Sequence, residues 1–326
     1  MNELKGQFVN ALLVVLTVAA VIAAGINFQQ QQLVQMPDDG VVWVDRGSRT
    51  PASASGMGLV EARHVEPGGP GDRAGIKPGD VLEKIRTVAI AKPTDVAEVL
   101  WSSGAWNKVD YLLLRRGIEI KATVIPAART PGTGVYYQYL VGLTYLIIGL
   151  FIFFRRGNAP KARHFYLLCL WSFVLCTFHY TGKLNMFDKV IYWGNVVATF
   201  LAPSLFLHFC LTFPEPGRWW RSGRAALLYV PAAIMIWVTF GIATGMIQVA
   251  VPLDELRWHL DRAGMLYLAL SYLGGGLVLA LRHRTVEDSV LRQQMKWVRN
   301  GAILGALPFT LMYVIPYSMG AIPDLW

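Results

Sequence analysis

The stretch Val65-Glu-Pro-Gly-Gly-Pro-Gly-Asp-Arg-Ala-Gly-Ile-Lys-Pro-Gly-Asp-Val-Leu-Glu-Lys-Ile85 decides how this chain is read. Glycine and proline recur in it at short intervals, so no long helix or strand fits before Val81. Gly68-Gly-Pro-Gly71 reads as a turn, and Asp72-Arg-Ala-Gly75 as a short helix that Gly75 ends. Pro78-Gly-Asp80 is a tight turn into a strand from Val81 to Ile85. Working outward, Val41-Val-Trp-Val44 has strand composition, and Leu59 to Val65 partly alternates and suits an edge strand. Pro93-Thr-Asp-Val-Ala-Glu-Val-Leu100 opens with helix-start signals and continues with apolar spacing. Tyr111 to Arg115 and Glu119 to Val124 form a hairpin across Arg116-Gly117. The result is a small α+β unit.

Both flanks of this unit are apolar. Of the 326 residues 54% are hydrophobic and only 16% are charged, with a mean hydropathy of +0.40. A soluble chain of this length needs more polar surface, so the composition points to an integral membrane protein. Seven apolar runs are long enough to be read as spans: 8–28, 135–154, 164–181, 190–213, 225–248, 263–281 and 301–319. The first is read as an uncleaved anchor, because its apolar run is long for a signal peptide, although Ile22-Ala-Ala-Gly25 would pass as a cleavage site. The expected architecture is an α-helical multipass membrane protein with about seven spans and an inserted extracytoplasmic α+β domain. Its parts are an anchor over 1–30, the inserted domain over 38–126 and a six-span region over 135–326.

The net charge of +9 is concentrated in short segments between apolar runs. The 155–163, 214–224 and 282–299 segments hold twelve basic residues, whereas the alternate short loops hold only Lys183, Lys189, Arg257 and Arg262 beside as many acids. The positive-inside rule then puts the N-terminus in the cytoplasm and the inserted domain outside it, in the periplasm or extracellular space. Localisation in a bacterial inner membrane follows, with anionic lipid as a partner of the basic segments. Zinc-finger spacing and a base-reading basic helix are both missing from the sequence, so nucleic acid is not an expected partner.

The turn-rich run, with Gly-Pro-Gly-Asp-Arg-Ala-Gly-Ile-Lys-Pro-Gly-Asp at its centre, resembles a bacterial PDZ domain of the circularly permuted kind. The resemblance covers about 85 residues. It departs from the family after Ile85, where Arg86-Thr87 stands in place of the usual Asn-Gly. The resemblance implies capture of a peptide or protein C-terminus. It puts the carboxylate-binding loop at Gly56-Met57-Gly58-Leu59 and the peptide-pairing strand at Leu59 to Val65 through Val60. Val96, Val99 and Leu100 would line the apolar pocket. Consecutive N–H groups in a glycine-containing turn form a nest for a carboxylate, which is why that loop draws attention.

Two motifs in the apolar region, Leu207-His-Phe-Cys-Leu-Thr-Phe-Pro-Glu-Pro216 and Leu291-Arg-Gln-Gln-Met-Lys-Trp-Val-Arg-Asn-Gly301, resemble the multipass input region of PDZ-containing sensor histidine kinases. That resemblance implies the sensory input part of a signalling kinase, whose catalytic half is not in this sequence. The alternatives are a non-catalytic membrane scaffold and a protease-regulating PDZ adaptor.

Other chemistry was sought in the sequence. His-Glu-x-x-His, Gly-x-Ser-x-Gly and a phosphate-binding Walker loop do not occur, so no catalytic residue, metal ligand or cofactor is assigned. His179 and His208 fall at different expected depths and do not suit a shared iron. Cys169, Cys176 and Cys210 lie in apolar runs and read as small packing residues. Gly274-Gly-Gly276 reads first as close helix packing, and second as a hinge or a homodimer contact.

Overall fold

A computed structural model describes residues 2–33, 36–45, 60–129, 134–155, 161–183, 185–213, 224–247, 253–284 and 286–319. A long helix, α1 (Asn2–Leu33), leads into the inserted domain. The domain contains β1 (Met36–Asp38), β2 (Val41–Asp45), β3 (Val60–Val65), α2 (Pro70–Arg73), β4 (Val81–Ile85), β5 (Val88–Ala89), α3 (Pro93–Ser103), β6 (Val109–Arg115), β7 (Ile118–Val124) and β8 (Ala127–Arg129). The chain then returns to helices: α4 (Gly134–Arg155), α5 (Ala162–Thr177), α6 (Met186–Thr212), α7 (Val230–Ala243, after a 3-10 turn), α8 (Leu253–Arg282), α9 (Ser289–Phe309) and α10 (Ile315–Ser318).

The main sheet runs in the order β2-β3-β4-β6-β7, with β5 paired to β4. The hairpin expected across Arg116-Gly117 is present, with Arg115 opposite Ile118 and positive φ at both turn residues. The sheet and α3 enclose a core that includes Ile76, Leu82, Ile85, Tyr111 and Leu113. One expectation is corrected. The strand ending at Val65 is not an edge strand: β2 covers one side of it, and β4 pairs with it on the other at Val60 and Glu61. The edges of this sheet are β2 at one end and β7 at the other. A second sheet, β1 with β8, joins the two ends of the domain where the chain enters from α1 and leaves for α4.

Among the described residues, six helical segments are long and apolar enough to cross a membrane; α5, with 16 residues, is shorter. Successive helices alternate in direction. Gly142 of α4 faces Thr177 and Gly149 faces Cys169, and His164 bonds to the Leu205 carbonyl of α6. Trp193 of α6 packs on Phe240 of α7, and Gly276 of α8 packs on Ile303 of α9. This order puts Arg163, Arg224 and Arg282 at the end of the bundle opposite the inserted domain. At the near end, Gly182 lies against Met36 of β1.

The first helix is integrated into the bundle. Ala20 and Ala24 sit in a core with Leu170 and Phe173 of α5. Thr17 shares a hydrogen bond with Tyr166. Asn27 is fully buried, donates to the His179 carbonyl and accepts from the Tyr139 hydroxyl and the His179 N–H. A buried amide so thoroughly paired is costly to orphan. The glycine triplet serves close packing: a Cβ at Gly275 would meet Phe206 at 2.5 Å. Past Pro308 the helix loosens into a π turn over Thr310–Val314.

The turn between β4 and β5 places Arg86 at φ +54°, a region that asparagine and glycine enter more readily than arginine. Arg86→Asn is expected to stabilise the inserted domain by about 0.5–1 kcal/mol, read as an upward shift of its thermal transition.

Candidate functional site

The entry to the edge strand is built on two acidic residues that the sequence reading passed over. The Pro37-Asp-Asp-Gly40 run ends β1 and turns the chain into β2. Gly40 takes φ +67° at the turn. Asp38 Oδ1 accepts the Gly40 N–H at 2.9 Å, and Asp39 Oδ1 accepts the Val41 N–H at 3.1 Å. Asp39 is 2% exposed. Its Oδ2 accepts the Trp43 indole N–H at 2.8 Å and the Tyr111 hydroxyl at 2.9 Å. Burial raises the Asp39 pKa, and its hydrogen bonds with Trp43, Val41 and Tyr111 offset this only in part, so the carboxyl stays above its usual range. Burial and the neighbouring carboxylate raise the Tyr111 pKa, which keeps its phenol a donor. Trp43 stacks on Tyr111 with ring centroids 6.2 Å apart.

The helix α2 closes over this turn. The Gly71 N–H donates to the Asp39 carbonyl at 2.7 Å, and a Cβ at Gly71 would lie 2.4 Å from Val41 Cγ2. Only glycine permits that approach, which explains one of the four glycines between 68 and 75. The Pro78-Gly-Asp80 turn is fixed by a second buried acid. Asp80 is 1% exposed and forms a two-pronged pair with Arg115, at 2.6 and 2.7 Å. It also accepts the Lys77 N–H. Burial opposes its charge, but the Arg115 pair and the Lys77 N–H outweigh burial and hold the carboxyl below the usual range.

These contacts leave β2 as the terminal strand, and among the described residues no strand pairs with its outer side. The helix α3 packs beside β1 and β2. An open strand edge presents unpaired N–H and C=O groups in a row and is a template for a further strand.

The residues expected to bind peptide are distributed differently. Met57, Gly58 and Leu59 lie outside the described residues. Val60, Val96, Val99 and Leu100 are brought together, but inside the domain's own core, at 0, 3, 9 and 5% exposure. The strand expected to pair with peptide is closed over residues 60–62. Beyond its ladder with β4, the Ala62 N–H donates to the Asp80 carbonyl and the Ala62 carbonyl accepts the Gly79 N–H. Asp39-Gly40 directly before Val41-Val-Trp-Val44 marks the turn into β2, but not the strand's place at the edge of the sheet.

In the helical bundle the structure pairs His164 with His208, their ring centroids 4.4 Å apart. His208 also bonds to the Tyr229 hydroxyl. Among the described residues no third His, Cys, Asp or Glu completes a metal-binding group with them.

Comparison with known proteins agrees with the inserted domain. A PDZ-domain family model matches residues 62–105, so the chain carries a PDZ domain. No curated protein matches. Among solved structures, the HtrA-type protease AlgW with a decapeptide is 19% identical, with a TM-score of 0.27, over 30% of this chain and 31% of its own. A variant of the same protease, also with a decapeptide, is 18% identical with a TM-score of 0.29, over 33% of this chain and 35% of its own. The chain thus spans about a third of each of those proteins.

Asp80 gives the domain a pH signature. Its pKa is lower folded than unfolded, so its contribution is intact above about pH 4 and is lost as pH falls through the folded value. Asp80→Asn should cost about 2–4 kcal/mol near neutrality. It should also flatten the acid limb of stability against pH, measured as thermal transitions between pH 7 and 3.

Proposed function

We propose that this protein is a membrane-embedded peptide-binding module whose extracytoplasmic PDZ domain accepts an extended polypeptide along the outer edge of β2. The observation that carries the reading is the open outer edge of β2, the terminal strand that lies beside α3, in a sheet whose inner strands β3, β4 and β6 are paired on both sides. Main-chain hydrogen bonds would supply the affinity, and side-chain contacts beside the edge the selectivity. The sidedness rests on Arg163, Arg224 and Arg282, which lie at the bundle end away from the PDZ domain, as the positive-inside rule requires for a domain outside the cytoplasm.

A second reading, that the chain is the sensory input part of a histidine kinase, is favoured by one contact beyond its two sequence motifs. The helix α8 lies against β2. It runs parallel to α6, since Gly264 faces Phe200, Tyr267 bonds to Ser204 and Arg282 reaches the Phe213 carbonyl. The end that approaches β2 is therefore its N-terminal end. A strand docking on β2 would meet that helix, and a ligand with different affinity for two positions of α8 would shift the bundle between them. In the scaffold and adaptor alternatives, occupancy of the edge leaves α8 where it is.

Hydrogen exchange on the full chain in lipid nanodiscs tests the main reading, with a peptide enriched from a random decapeptide library as ligand. Amides of Val41–Asp45 should slow on binding; protection confined to β6 and β7 would contradict it. Spin labels at Val42 and Leu256 test the second. A ligand-dependent change in their distance is expected of a sensor, and an unchanged distance favours a scaffold.

A further inference from the structure

The peptide-binding reading leaves open which part of a polypeptide the β2 edge accepts. Capture of a free C-terminus needs consecutive backbone N–H groups, unsatisfied and free of negative charge, at the mouth of the pairing strand. In this protein the mouth of β2 is the Pro37-Asp-Asp-Gly40 turn. Pro37 has no N–H to offer. The Gly40 and Val41 N–H groups are held by the carboxylates of Asp38 and Asp39. The buried Asp39 carboxylate is anchored further by Trp43 and Tyr111, so it cannot swing aside without orphaning an indole N–H and a phenol.

We infer that the protein's own carboxylates occupy the place of a ligand carboxylate, and that the β2 edge selects an internal extended segment of its partner over a free C-terminus. The inference rests on the peptide-binding reading. A terminal carboxylate arriving at this turn would meet the Asp38 carboxylate and donors already in use, an arrangement that rejects it by repulsion as well as by lost hydrogen bonds. An internal segment presents only neutral amides there and continues past the turn.

The test uses the full chain in nanodiscs and random decapeptides displayed in two formats, one tethered at both ends and one with a free C-terminus. Enriched sequences are then synthesised as the free acid, the C-terminal amide and a form extended by three residues. The inference predicts enrichment in the doubly tethered format, with the amide and extended forms binding within about threefold of the acid. A free acid binding tenfold or more tighter than its amide would overturn it while leaving peptide binding intact. Absence of binders in both formats would overturn the peptide-binding reading itself, and this inference with it. Asp38→Ala provides a second readout, because it frees the Gly40 N–H and removes a charge without touching the buried Asp39. The acid-to-amide affinity ratio should rise at least fivefold in this variant; an unchanged ratio would contradict the role given to Asp38.

Discussion

A buried carboxyl group organises the edge of the PDZ domain's sheet at β2. Asp39 sits almost out of reach of solvent, in a domain held between two long apolar helices, and its buried oxygens are satisfied by three donors that converge on it. Those donors belong to three different places: the first residue of β2, the indole two residues further on, and a phenol on β6. Satisfying one buried carboxyl therefore fixes the turn into β2, the face that Trp43 presents and the distance between the edge strand and β6. Gly71 adds the close approach of α2 to the same turn. The position of the open edge is a consequence of this network.

The domain is tied to the helices at both of its ends. The β1–β8 pair joins the chain leaving α1 to the chain entering α4, and Met36 packs on Gly182 between α5 and α6. The fully buried Asn27 locks α1 to the same segment through His179. Polar groups at a helical bundle's end are costly to separate once paired, so the PDZ domain stands on a fixed base. The helix α8 also approaches the domain, at β2.

Much of the fold was legible in the sequence because local chemistry dictates it. Pro78-Gly-Asp80, Arg116-Gly117 and the helix start at Pro93 each carry their own turn or cap signal, and the apolar runs mark the helices by length. The open edge was not legible. Whether Leu59 to Val65 or Val41 to Val44 lies outermost depends on the pairing of β2 with β3 across residues 46–59 and of β3 with β4, both set by the whole sheet. Alternation in the β3 sequence fits an edge strand and an interior one equally well. Asp38 and Asp39 escaped notice for a similar reason, since acids in a turn ordinarily face water. Their role appears only when Trp43 and Tyr111 converge on one of them. The His164–His208 pair was missed because helix antiparallelism, rather than spacing along the chain, brings the two rings together.

The claim that β2 is the docking edge is tested most directly by site-specific photo-crosslinking in cells that make the full chain. A benzophenone side chain would replace Val42 on β2 in one variant and Arg63 on β3 in another. The account predicts covalent adducts with a partner polypeptide from position 42 and none from position 63. Adducts from 63 without any from 42 would contradict it and return the binding strand to β3.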